Sequence, residues 1–241
     1  MNRIRKNSVL VSLEIPEKMR TNWQETVDLL VDILGIPSAL IMRVHAHEIE
    51  VFTKSSNKEN VYKLGETAPL DTGLYCETVM STQRELLVPN ASKDSLWEHN
   101  PDVDLGMIAY CGLPLTWPTG EIFGTICILD CKTNHFSGHA RDLLERFQGS
   151  IQYHLANTYE ISQERYKNIK SEQENEVLEA KYTSLIKSIP AVTYIAALDE
   201  SFTTLFVSEQ IESLFGFTTE QYKNDPDIWL RHLHPDDRER V

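Results

Sequence analysis

Residues 122–129, Ile-Phe-Gly-Thr-Ile-Cys-Ile-Leu, form an unbroken apolar or small run. A strand of that composition is covered on both faces, so it belongs at the centre of a sheet. Just before it, Pro118-Thr119-Gly120 sets one φ and frees another to be positive, which predicts a tight hairpin turn. The partner strand reads Tyr110-Cys111-Gly112-Leu113-Pro114-Leu115. Gly112 and Gly124 remove side chains where the strands would crowd something, either another backbone or a ligand.

The rest of the first half supplies elements to flank this hairpin. Met19, Trp23, Val27, Leu30, Val31 and Leu34 make one stripe at the helical period, and Gly35 and Pro37 end it. Short strands are expected over 39–44 and 49–53, joined by His45-Ala46-His47-Glu48. The two turn histidines read as solvent-exposed and not as metal ligands. Residues 54–60 read as a loop, 75–81 as a short helix and 86–88 as a strand. The loop-rich stretch 90–104 carries Trp97, which either caps the core edge or forms a lid over a cavity.

After Asn134 a new helix is expected, with Ser137 as its N-cap. Its apolar face is Ala140, Leu143, Leu144, Phe147, Ile151 and Leu155, which should pack on the sheet. No proline falls between Ser137 and Pro190, so the helical pattern can run for roughly 50 residues, about 75 Å. Beyond Leu155 the face thins to Ile161, Tyr166, Ile169, Val177 and Leu178 amid many charges. Such a rod buries too little apolar surface alone. Pairing with the same helix of a second chain is the economical solution, and a solvated linker is the alternative.

Composition excludes several classes. The 23 basic and 36 acidic residues give a net charge of −13, which repels duplex nucleic acid and anionic membranes. No apolar stretch approaches the ~20 residues of a membrane span. The basic start of residues 1–6 is followed by no apolar signal-peptide core, so the cytoplasm is the expected location. The four cysteines, Cys76, Cys111, Cys127 and Cys131, show neither C-x-x-C nor zinc-ligand spacing and read mostly as buried small hydrophobes. Neither a phosphate loop, a dinucleotide fingerprint nor an H-E-x-x-H motif is present.

Two resemblances follow from ordered motifs. Gly73-Leu74-Tyr75-Cys76-Glu77, Leu86-Leu87-Val88-Pro89-Asn90, Trp97, the 110–115 strand, Trp117-Pro118-Thr119-Gly120-Glu121 and the strand ending at Asp130 resemble the second half of a GAF domain, a sensing module of signalling proteins. Ile189-Pro190-Ala191-Val192, Phe206-Val207-Ser208, the segment 211–217 and Trp229 through Arg238 resemble the first half of a PAS domain. The implied fold is α+β: a GAF-like antiparallel sheet flanked by helices, a long connecting helix, then a partial PAS-like α/β segment. The expected divisions are an N-terminal extension (1–16), a GAF-like sensor (17–155), a helical linker and dimer coiled coil (156–187) and an incomplete PAS-like domain (188–241). A whole PAS domain would add three further strands, so the chain is expected to be the N-terminal portion of a longer sensor, or a truncated product of one.

The resemblance implies a regulatory binding module, not an enzyme, with a small molecule of unknown identity and a homodimer as partners. Tyr75, Cys76, Trp97, Tyr110, Thr125 and Asp130 are the expected pocket residues, the aromatics giving contact area and Thr125 and Asp130 directed polar groups. No catalytic residue, metal ligand or named cofactor is assigned. The Asn-Lys…Phe…Asp-Glu signature of cyclic-nucleotide GAF domains is not met, and the bilin-anchoring Cys-His pair is absent because Glu77 follows Cys76. His99 and His135 are the least implausible axial ligands for a haem. The alternatives are a ligand-free dimerisation scaffold, or a GAF-fold methionine sulfoxide reductase using Cys76 with Cys111.

Overall fold

Strand β6 (Ile122–Asp130) lies between β1 (Ser38–Val44) and β5 (Ala109–Thr116), so the apolar run is central, as its composition requires. The computed structural model describes residues 13–199, 203–225 and 227–237. With β2 (Glu48–Lys54), β3 (Thr67–Pro69) and β4 (Leu86–Val88), these strands form a six-stranded sheet in the order β3-β2-β1-β6-β5-β4. Every neighbouring pair is antiparallel. The short edge strand β3 carries no sequence signal of its own. The hairpin turn closes as expected: the Gly120 N–H donates to the Trp117 carbonyl, and Gly120 takes φ +82°.

Alternation along the strands divides the core into two layers. Ala39 and Ile41 of β1, Cys111, Leu113 and Leu115 of β5 and Ile126 and Ile128 of β6 face one side. That side is covered by helix α1 (Glu17–Leu34) and by the start of helix α4 (Gly138–Ser188). Trp23 is its anchor, fully buried with edge-on contacts to Phe52 and Phe123. Its indole N–H donates to His154 Nδ1 at 3.0 Å, tying α1 to α4. The expected α4 face is found: Ala140, Leu144, Ile151 and Leu155 are buried, and Leu143 and Phe147 pack partly against them.

The other sheet face carries Leu40, Met42, Ile49, Val51, Tyr110, Cys127 and Leu129. Helix α2 (Tyr75–Thr82) and the segment holding Trp97 and Met107 cover it. The short helix α3 (Pro101–Asp104) is capped by Asn100, whose side chain accepts from the Asp102 N–H, with Pro101 at its first position. The two strand glycines have distinct neighbours. A Cβ on Gly112 would fall 2.1 Å from the Tyr110 hydroxyl, and one on Gly124 would fall 1.8 Å from the Met42 carbonyl oxygen. The tyrosine ring occupies one gap and the β1 backbone the other.

The chain divides into two compact units, one up to Glu164 and one from Arg165. Helix α4 spans 51 residues, but its buried positions end at Thr158. Ile161, Tyr166, Ile169, Val177 and Leu178 are all exposed. In the second unit, β7 (Tyr194–Ala196) pairs antiparallel with β8 (Thr204–Val207), followed by α5 (Gln210–Phe215), α6 (Thr219–Asn224) and α7 (Ile228–Arg231). Gly216 stops α5 at φ +77°, and Thr218 and Gln221 exchange both bonds of a capping box. The Gln210 side-chain amide donates toward the Ile186, Lys187 and Ile189 carbonyls at 3.0–3.2 Å, satisfying the end of α4. Residues 1–6, Glu200, Ser201, Pro226 and Arg238 lie outside the described residues. No described helix is long and apolar enough to cross a membrane.

Candidate functional site

Above β1, β2 and β6, on the α2 side, lies a cavity of about 150 Å³. Its floor is Leu40, Met42, Ile49, Val51, Cys127 and Leu129; Tyr62, Leu74, Cys76 and Tyr110 wall it, and Pro101, Asp102 and Leu105 close one side. Glu66, Thr67, Pro101 and Leu105 are exposed, so the opening lies between the segment before β3 and helix α3.

Local structure holds these walls in place. The Glu77 carboxylate accepts from four successive backbone N–H groups, those of Asp71, Thr72, Gly73 and Leu74, at 2.9–3.1 Å. A nest that would attract an external anion is thus filled from within. Asp71 and Gly73 take positive φ in this turn, 67° and 87°, as the nest demands. The Asn100 amide donates to the Gly73 carbonyl at 2.7 Å, linking the α3 entry to the same turn.

The expected pocket residues separate by position. Cys76 and Tyr110 line the cavity. Tyr75 stacks on Tyr110 with ring centres 4.6 Å apart, and Trp97 leans on Tyr75 at 5.2 Å, so both support the wall from behind. Thr125 is fully buried and donates to Cys76 Sγ at 3.3 Å. Asp130, at the end of β6, accepts from the Asn134 amide at 2.9 Å and the Lys132 N–H at 3.2 Å, ordering the turn that follows, and is not a lining residue. His99 and His135 are both exposed and away from the cavity. His45 is not an isolated turn histidine: its Nε2 lies 2.8 Å from Glu50 Oε2 across the β1–β2 hairpin. Among the described residues no group of three or more His, Cys, Asp or Glu could hold a metal ion.

The thiols are paired differently from the sequence expectation. Cys111 faces the other core layer and donates to Glu85 Oε1 at 3.6 Å, and burial pushes its pKa up to about 12. Cys76 instead meets Cys127. The Cys127 thiol, Thr125 and Tyr110 direct donors at Cys76, which lowers its pKa against the opposing effect of burial. Cys127 is pushed up by its bond to Cys76 and by burial. Among the described residues no histidine lines the cavity, and its carboxylates are Asp102 and Glu66.

Tyr62 and Asp102 are the residues that the sequence reading missed. The Tyr62 hydroxyl donates to Asp102 Oδ1 at 2.7 Å, across 40 residues of chain. Burial raises the Asp102 pKa above the ordinary carboxylate value, partly offset by that hydrogen bond. Burial and the facing carboxylate push Tyr62 well up. The only available signal was Asn100-Pro101-Asp102, a helix entry that places an acid in its first turn.

Residues 19–152 match the GAF domain family, and residues 204–241 match the PAS fold. The chain belongs to the GAF domain family. A long helix, 138–188, connects this domain to the PAS segment. Among solved structures, a bacteriophytochrome from the photosynthetic bacterium R. palustris matches at 13% identity and a TM-score of 0.51, over 71% of this chain and 41% of that one. The phycoerythrobilin-bound GAF domain from a cyanobacterial phytochrome matches at 12% identity and 0.51, over 59% of this chain and 88% of its own. A free methionine-R-sulfoxide reductase from Neisseria meningitidis gives 12% and 0.48, over 61% and 82%. The first two likenesses show the fold alone, and the third carries no argument. No curated protein matches the chain. GAF and PAS domains joined by a helix are the parts of a sensory signalling module.

Proposed function

We propose that the GAF domain is a cytoplasmic small-molecule sensor whose ligand occupies the cavity beneath α2. Cys76 and Tyr110 contact that ligand, Tyr75, Trp97 and Thr125 hold the contacting groups in position, and Asp130 orders the strand end behind them. The observation that carries this reading is the cavity itself, about 150 Å³ and lined mostly by apolar side chains. Apolar surface left uncovered there forgoes roughly 25 cal/mol per Å² of burial. A scaffold with no ligand gains by filling it with larger side chains; a sensor does not.

The exposed apolar residues of α4 from Ile161 to Leu185 support a homodimer that passes the ligand state along the helix to the PAS segment. Such coupling is worth ~1–3 kcal/mol, so the ligand must bind two arrangements of the dimer with different affinity. No histidine among the described residues lines the cavity beside Cys76, and Cys111, the second thiol nominated for a reductase, lies in the other core layer; both support a non-enzymatic role. Turnover of free methionine sulfoxide by the purified protein would overturn that part of the reading.

Native mass spectrometry of freshly purified protein tests the sensor and the dimer together. A two-chain mass with a bound small molecule is the expected result. Single-chain masses at micromolar concentration would remove the dimer. An unliganded mass, combined with no thermal shift from any ring-sized compound, would leave the scaffold reading in its place.

A further inference from the structure

The charged groups of the cavity all have one sign. Asp102 lies inside it and Glu66 at its opening, and among the described residues no lysine, arginine or histidine lines it. The remaining walls are apolar side chains, thiols, tyrosines and the exposed Thr67. Within this lining the Asp102 carboxylate has one side-chain donor, the Tyr62 hydroxyl at 2.7 Å. Burying a carboxylate is costly unless a cation or several donors meet it. A single phenol meets that need only in part.

We propose that the cavity binds a small organic cation: a protonated amine or amidine on an apolar body about the size of one ring. The inference rests on the cavity being the ligand site. Size follows from volume, because a void of ~150 Å³ lined by apolar side chains accommodates a molecule such as benzene. Charge follows from the lining. An anion would meet Asp102 inside and Glu66 at the entrance, with no basic residue in the lining to receive it. A neutral ring would cover the floor of Leu40, Met42 and Val51 yet leave the carboxylate short of donors. A cationic head placed against Asp102 forms a charge-assisted hydrogen bond in a largely apolar site. The ring then lies over the β1–β2 floor. Asp102 is the specificity group and Tyr62 its positioning residue.

Three probes that share one ring and differ in the head group separate the possibilities: benzylamine, benzyl alcohol and benzoate. Each is titrated calorimetrically into the full chain and into Asp102→Asn. Wild type is expected to bind benzylamine at least about tenfold more tightly than benzyl alcohol, as one charged hydrogen bond implies, and benzoate most weakly. Asp102→Asn keeps an oxygen facing Tyr62 and should bind benzylamine and benzyl alcohol alike. Should that variant fail to fold, the wild-type ranking decides alone. Equal binding of benzyl alcohol, or a preference for benzoate, overturns the cation and leaves the cavity standing as a ligand site. Binding of none of the three overturns this inference, and the sensor reading falls with it only if the native mass spectrum is also empty.

Discussion

Gly124→Ala tests whether the centre of the sheet is as tight as its geometry requires. In the β1–β6 ladder Gly124 pairs with Arg43, and an added Cβ would stand 1.8 Å from the Met42 carbonyl oxygen and 2.7 Å from its carbon. The obstacle is backbone in the middle of a six-stranded sheet, so it cannot swing aside as a side chain does. Relief requires β1 and β6 to separate by more than an ångström, breaking ladder hydrogen bonds between Ser38–Leu129 and Arg43–Gly124. Overpacking in cores costs typically ~1–3 kcal/mol, and an obstacle made of backbone places this change at or above the top of that range. About 3 kcal/mol lowers the melting temperature by roughly 6–12 °C in a domain of this size. Urea and thermal unfolding followed by tryptophan fluorescence measure it.

Gly112→Ala is the internal control. Its obstacle is the end of the Tyr110 ring, so the double variant Gly112→Ala with Tyr110→Ala should show strong favourable coupling. No side-chain truncation at Met42 should rescue Gly124→Ala. A Gly124→Ala protein melting within a degree of wild type, or one restored by Met42→Ala, would refute the argument.

Three further outcomes follow from the same coordinates. His154 is depressed by burial and its Nδ1 accepts the Trp23 indole N–H; the unfolded chain therefore binds the proton more readily. Stability should be complete above about pH 6.5 and decline as pH falls below it, and His154→Asn, which retains an acceptor, should flatten that slope in melts between pH 5 and 8. Maleimide labelling of native protein should modify the exposed Cys131 at once and the buried Cys76, Cys111 and Cys127 only slowly; rapid loss of two or more thiols would contradict the packing. Glu77→Gln leaves one acceptor oxygen for the four N–H groups of residues 71–74 and should cost about 1 kcal/mol, the worth of a lost helix cap, seen as faster amide exchange in that turn.

Elements with a strong period were legible in the chain, because one physical requirement set each pattern. The α1 stripe of Trp23, Val27, Leu30 and Val31 is buried as spaced, and the apolar run of β6 is central because nothing polar interrupts it. The cavity was legible only in outline. Cys76 and Tyr110 sit on elements whose faces could be assigned, and they reach it. Tyr62 and Asp102 come from segments with no period, and their meeting depends on a three-residue edge strand and a four-residue helix. The pairing of Cys76 with Cys127 in place of Cys111 has a similar cause: Cys111 and Cys127 lie on adjacent strands but point to opposite faces, and sequence spacing does not disclose register.

The three hydrogen bonds from Gln210 to the last carbonyls of α4 bear on how motion could leave that helix. With its terminal turn clasped by the first residue of α5, the junction is a stiff coupling and not a swivel. A change in the rotation of the helix there must either drag α5 and the neighbouring hairpin along or shear the clasp. Gln210 is therefore a single point at which torque and slippage can be told apart.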